Sequence, residues 1–418
     1  MIYVGIDVSQ EKANYAIINS DNKIINQFVL KHSNENFDKL IKILSEFNKK
    51  DIILGIESTG NHWRIPTYYL LERDFNIVLL NPFYTHKFLS LISNKTKTDK
   101  IDALGIAKYL KTDEFKKSII PVDSHADIKA LVKCAEKIQK QICDQKRAIS
   151  NTLVSAFFEF KTLFKNIFSV TALTLLKQYP SFKKIASLKP ENLVKLFRNI
   201  KGNNFNYQKA LKIINTAKNS VTPDVCIEQY ESILLSQIDI LEAMIKAKQN
   251  IDKKIDKNLM APDLKYSDTL TNDNYNIVRS ILSIPGVGKK TLAAIIGMCG
   301  DLSRFENSTK FVGYIGLYPQ IIQSGKKNRT KAHKKGIRIV KKYIHLAAVA
   351  SIKHNNELNK IFLDAISKGK TKQQALAKVK YKLLKIIWHL YNYRIVYDPS
   401  KVFVNKNVAW YINVKELY

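Results

Sequence analysis

Residues 1–30, MIYVGIDVSQEKANYAIINSDNKIINQFVL, decide the fold. Apolar side chains alternate with small or polar ones in YVGIDVS and again in NYAIINS, the period of two that sets one face of a strand on a core. NSDNK, a cluster of turn-forming residues, separates the second run from a third, so three short strands joined as antiparallel hairpins are expected.

Working outward, NFDKLIKILSEFNKK carries apolar residues at helical spacing, and DIILGIES is a continuous apolar strand. A helix around WRIPTYYLLERDF precedes another buried strand, NIVLLNP; a basic loop and a helix DKIDALGIAKYL follow. The order βββαβαβα is that of an RNase H-like domain, in which parallel strands extend an antiparallel meander.

From His125 to about Phe160 the period changes. Ile128, Leu131, Ala135, Ile138, Ile142, Ile149 and Leu153 follow steps of mostly three and four, as do Ile227, Tyr230, Leu234, Ile238, Leu241 and Ile245. Two long amphipathic helices are expected, either an antiparallel pair, a dimeric coiled coil or ordinary bundle core. From about residue 275 the chain reads as helical, glycine-punctuated and basic. The expected division is residues 1–120, an α/β domain; 121–270, a helical coiled-coil region; 271–395, an all-α domain; and 396–418, a short aromatic tail.

Composition narrows the partner. The chain has 418 residues, a formal charge of +32 and 45% hydrophobic residues, enough for two or three cored domains. The charge is uneven: residues 1–110 nearly balance, whereas Lys326 to Lys342 contains no acid. Such a run fits a polyanion. The four cysteines are far apart, which excludes a standard zinc site or disulfide framework and fits a reducing cytosol. No apolar run reaches the length of a membrane span and no leader opens the chain, so a cytoplasmic protein without a membrane is expected.

The acids carry the chemistry. An ionised Asp7 inside the first strand is costly to bury unless something positive meets it. Glu57 ends the strand IILGIE, and in an RNase H-like order these two strands run side by side, so both acids face one point. Asp99 and Asp102 stand three apart where a helix begins and share a face. Capping is one account of them: Asp99 accepting a backbone N–H, Asp102 lying in the positive first turn. The other is a site, with all four carboxylates converging on divalent cations, for which Mg²⁺, a hard ion with oxygen ligands, is suited.

Farther on, IPGVGKKTLAAII has the form of a helix-hairpin-helix turn. Gly286 and Gly288 would open a helix N-terminus to a phosphate, with Lys289 beside it; a plain interhelical turn is the alternative. Ser324 precedes Gly325 and a dense cationic run: Lys326, Lys327, Arg329, Lys331, Lys334, Lys335, Arg338, Lys341 and Lys342. A solvated loop serine is the ordinary reading. A hydroxyl among cations is also how a nucleophile would be set against a phosphodiester.

YVGIDVSQEKANYAI, GIESTGNHWRIPTYYLLE, VLLNP and SNKTKTDKIDALGIAKYL resemble the DEDD-type (RuvC-like) domain of transposases of the insertion sequence 110 family. IPGVGKKTLAAII, GDLSRF and FVGYIGLYPQIIQSGKKNRTKAHKKGIRIVKKYIHLA resemble that family's C-terminal transposase domain. The resemblance implies a recombinase acting on double-stranded DNA. It implies metal ligation by Asp7, Glu57, Asp99 and Asp102, with Mg²⁺ as cofactor. It implies Ser324 as nucleophile, a structured guide RNA that pairs with element and target, and a homo-oligomer, dimer or tetramer, whose active sites combine domains of different subunits. The middle helical region is longer than is common in the family, and the tail from about Tyr397 has no counterpart. Three rivals stand beside it: a metal-only Holliday-junction nuclease that dispenses with Ser324, a serine recombinase using Ser9 but lacking a nearby arginine, and a non-catalytic nucleic-acid-binding protein.

Overall fold

The computed structural model describes residues 1–58, 60–92, 98–112, 114–115, 123–198, 200, 205–260, 273–324, 327–332, 336–395 and 397–403. The chain divides into two units, Met1–Pro121 and Val122–Tyr418.

The first unit is built on five strands: β1 (Ile2–Val8), β2 (Lys12–Asn19), β3 (Ile24–Lys31), β4 (Ile52–Glu57) and β5 (Ile77–Leu80). Their order is β3-β2-β1-β4-β5. The first three are antiparallel, and β1, β4 and β5 are parallel, as the sequence order predicts. Alternation decides which face each residue serves. Val4, Ile6, Tyr15, Leu54, Ile56 and Leu79 point to one core, shared with Phe37, Leu40 and Leu44 of α1 (Asn34–Leu44) and Leu70 of α2 (Arg64–Leu71). Tyr3, Ile18, Val78 and Leu80 point to the other. There they meet Ile106, Ala107, Tyr109 and Leu110 of α4 (Asp99–Lys111), with Phe88 of α3 (Pro82–Ile92) packed against them.

Helix α3 was not expected; residues after NIVLLNP read as a loop. It starts because Pro82 supplies a helical φ at a position needing no N–H, while the Asn81 side chain accepts from Phe83 N at 3.0 Å.

In the second unit α5 (Asp123–Ala156) and α11 (Ile227–Met260) are the two long helices. They run antiparallel. Gln145 Nε2 and Thr152 Oγ1 reach Gln237 at 2.8 and 2.9 Å, whereas Ile128 and Val132 share a core with Ile255 and Leu259. Between them come α6 (Phe160–Leu163), α7 (Val170–Gln178), α8 (Phe182–Ala186), α9 (Pro190–Arg198) and α10 (Tyr207–Lys218). These close a core around Phe157, Phe160, Leu176, Phe197 and Leu234.

A further core gathers α12 (Asp273–Leu282), α13 (Lys289–Cys299), α14 (Ser308–Ile315), α15 (Arg338–His354), α16 (Asn356–Ser367) and α17 (Lys372–Tyr393). This part was expected to be helical throughout, and that expectation is corrected. An antiparallel hairpin, β6 (Pro319–Ser324) and β7 (Lys327–Ala332), stands between α14 and α15. Its cue is a pair of β-branched residues, Ile321 and Ile322, followed in the sequence by Gly325. Among the described residues no helix is long and apolar enough to cross a membrane.

Candidate active site

Two glycines fix where the first acids stand. Gly5 of β1 and Gly55 of β4 are partners across the parallel pair. A Cβ on Gly5 would lie 2.0 Å from the Ala103 carbonyl oxygen and 2.5 Å from Ala107 N; one on Gly55 would lie 2.7 Å from Leu110 Cδ1. At Gly5 the backbone of α4 rests directly on the strand, and no side chain fits between them. Two residues on, along each strand and on the same face, come Asp7 and Glu57. They are one step past the paired residues Ile6 and Ile56. Adjacent strands are about 4.8 Å apart, so the two carboxyl-bearing positions are immediate neighbours.

Helix α4 supplies the other pair. Ala103, Ile106, Ala107 and Leu110 are fully buried and form its sheet-facing stripe. Asp99 and Asp102 are the residues four before Ala103 and Ile106, so they continue that stripe by one turn toward the helix start. Asp102 is half-buried and Asp99 exposed. The cap is neither of them: Thr98 takes that position, its Oγ1 accepting from Ile101 N at 3.4 Å. The first-turn placement of both acids still favours the helix dipole.

The acids thus stand as two pairs, each about two strand residues or one helical turn from the contact at Gly5. Among the described residues no group of three His, Cys, Asp or Glu side chains is gathered closely enough to hold a metal ion. In kind the donors suit a hard divalent cation, since all four are carboxylates. Sequence reasoning passed over Gly5 and Gly55. The available signal was a lone glycine in the middle of each apolar strand, a mark of close backbone approach.

Ser9 is otherwise employed. Its Oγ donates to the Lys12 carbonyl at 2.9 Å, closing the turn between β1 and β2, which counts against the alternative nucleophile.

In the second unit the expected phosphate turn joins α12 to α13, and its two glycines differ. Gly286 has φ +97°, and a Cβ there would lie 2.4 Å from Ser351 N of α15. Ser351 Oγ donates to the Pro285 carbonyl at 2.8 Å, so this glycine lets the turn dock on α15. Gly288 caps α13 with no side-chain bond, and a Cβ there would meet nothing within 4 Å. Lys289 lies 3.5 Å from Asp256, and Lys290 lies 2.8 Å from Asp252, which also takes Lys248 at 2.8 Å. Burial alone would raise the Asp252 carboxyl, but hydrogen bonds from Lys248 and Lys290 hold it below its ordinary value.

Ser324 is the last residue of β6, opposite Lys327 in the hairpin register, rather than a loop residue. The side chains of Ser324, Lys327, Arg329 and Lys331 lie outside the description, as do Lys326, Lys334 and Lys335 altogether; Arg338, exposed, opens α15.

Two family models match stretches of this chain. A transposase model of the DEDD type covers residues 4–158, spanning all four acids. A second, described as Transposase IS116/IS110/IS902 family, covers residues 278–362, spanning the α12–α13 turn and the hairpin that carries Ser324. The chain is also similar to two curated proteins. It is 22% identical over 393 residues to a pilin gene-inverting protein of Moraxella lacunata, covering 92% of this chain and 94% of the relative. It is 22% identical over 347 residues to one of Moraxella bovis, covering 81% and 80%.

Proposed function

This chain belongs to the IS110 family of transposases, and we propose that it cuts and rejoins the DNA of a mobile element with Ser324 as nucleophile and a divalent cation held by Asp7, Glu57, Asp99 and Asp102. The observation that carries this reading is coincidence of place. The four acids fall in one matched segment and Ser324 in the other, and the strand register makes Asp7 and Glu57 neighbours beneath the helix that bears Asp99 and Asp102. The relatives are named for inverting a gene, a reaction that requires the same breaking and rejoining of strands.

In this reading the Ser324 oxygen displaces a deoxyribose oxygen from the scissile phosphate. A serine phosphodiester forms, and the departing oxygen leaves as a hydroxyl after taking a proton. Attack by a second deoxyribose hydroxyl reverses the exchange and rejoins the strand, so no bond energy is lost. The cations that follow Ser324 favour its ionised form and draw the phosphate to it. The carboxylates would hold Mg²⁺, and the ion they hold would supply stabilisation of the charge that builds on the phosphate oxygens. The basic run Lys326–Arg338 and the Gly288–Lys289 end of α13 hold the duplex by its backbone. A structured guide RNA selects the sites and a homo-oligomer assembles them, in the cytoplasm.

The test is a trapped adduct. Purified protein, its co-purifying RNA, and DNA carrying the ends of the element are incubated with Mg²⁺ and run on a denaturing gel. Wild type shifts labelled DNA into a protein-linked band. Ser324→Ala abolishes the band, and Asp7→Asn lowers its yield by at least about a hundredfold, the scale of a lost catalytic metal ligand. A band that survives Ser324→Ala would place the nucleophile elsewhere, and strand rejoining without any adduct would favour the metal-only nuclease.

A further inference from the structure

One buried group beside the acids has no partner. Asn14 of β2 is 3% exposed, and its Nδ2 makes no hydrogen bond. Buried amides are nearly always paired, because leaving one unpaired forfeits its hydration without return. The register shows where this one stands: Asn14 is directly opposite Asp7 across the antiparallel pair. Cross-strand partners project from the same face, so Asn14 shares the α4 side with Asp7 and with Ala16 and Ile18 of its own strand. Ile18 is there for packing. An amide is not required for packing, since leucine has nearly the same shape and costs no unpaired donor.

We propose that Asn14 is a positioning residue of the acidic site: its Nδ2–H donates to a carboxylate oxygen of Asp7 when a divalent cation is bound, fixing the angle at which the other oxygen faces the cation. The two Cβ atoms are about 5 Å apart as cross-strand partners, so turning the side-chain torsions suffices. Carboxylates that ligate metals are themselves held by such outer hydrogen bonds, and loss of one costs about 10–100-fold in metal affinity. The bound cation thus brings the Asn14 amide the partner it otherwise lacks. This inference rests on the metal-binding reading of Asp7 and names a residue that the reading did not include.

The experiment is Mn²⁺ binding to the full-length protein, followed by electron paramagnetic resonance, alongside thermal unfolding without metal. Asn14→Leu is expected to melt no lower than wild type, because an orphaned polar group is gone, yet to bind Mn²⁺ about tenfold more weakly. Asn14→Ala supplies the same affinity readout should leucine disturb the fold. Asp7→Asn separates the two ideas. If Asp7→Asn binds Mn²⁺ like wild type, the acidic site itself is wrong. If Asp7→Asn fails to bind while Asn14→Leu and Asn14→Ala bind normally, the acids stand and the role given to Asn14 falls.

Discussion

The chain uses glycine at two places where function is proposed, and uses it differently. Under α4, Gly5 and Gly55 are both packing residues: strand and helix close on them, and the acids two residues beyond inherit their positions. At the α12–α13 turn only Gly286 is packed, against Ser351, while Gly288 faces open space at the start of α13. The first site is located by steric contact. The second is a docked turn with one free end, which is what a backbone N–H group needs if a phosphate is to reach it.

Gly5→Ala tests the first half and carries the largest expected effect. The added carbon would meet a carbonyl oxygen at 2.0 Å, and a helix backbone cannot yield as a side-chain tip does. Separation of α4 from β1 is expected, with a loss of about 3 kcal/mol or more. The thermal transition of the first unit should fall or vanish. An unchanged melt would mean that α4 does not rest on this strand.

The second half predicts an asymmetry between neighbours. Gly286→Ala combines a positive φ with a clash against Ser351 and should cost about 2 kcal/mol. Gly288→Ala keeps an extended φ of −105° in open space and should cost less than about 1 kcal/mol, the difference between two cap residues. Equal losses in a denaturant titration of the two variants would erase the distinction.

Much of this was legible beforehand, for reasons that differ by element. Alternation in YVGIDVS and NYAIINS gave the hairpins, and steps of three and four gave α5 and α11, because both patterns record burial on one face. That α5 and α11 pair antiparallel was left open, since periodicity shows a face and not its occupant; Gln145 and Thr152 meeting Gln237 decides it. The β6–β7 hairpin was missed because two isoleucines among lysines do not outweigh the helices around them. Asp7 and Glu57 stood out as charges in apolar strands. Asn14 did not, because a neutral amide in a strand acquires meaning only from the residue opposite it.

The smallest prediction concerns what seats the α13 end. Lys290 meets Asp252 of α11, whose side chain is one quarter exposed, so charge as well as packing holds α13 there. The Asp252 carboxyl is held below its ordinary value, so the pair's contribution is complete above the unfolded carboxylate value of about 3.9. It is lost as pH falls through the lower folded value. The Lys290 ammonium is raised, by its hydrogen bond to Asp252 first, so on the alkaline side the contribution lasts until pH rises past about 10.4 and through the folded value. Between these limits the pair's contribution should be flat. Asp252→Asn should cost about 1 kcal/mol there, the upper range for a partly exposed pair, and progressively less as the medium is acidified below about pH 4. The comparison of urea midpoints at neutral and acid pH reads this directly. A penalty that stays constant into acid would mean that Asp252 holds α13 by shape and not by charge.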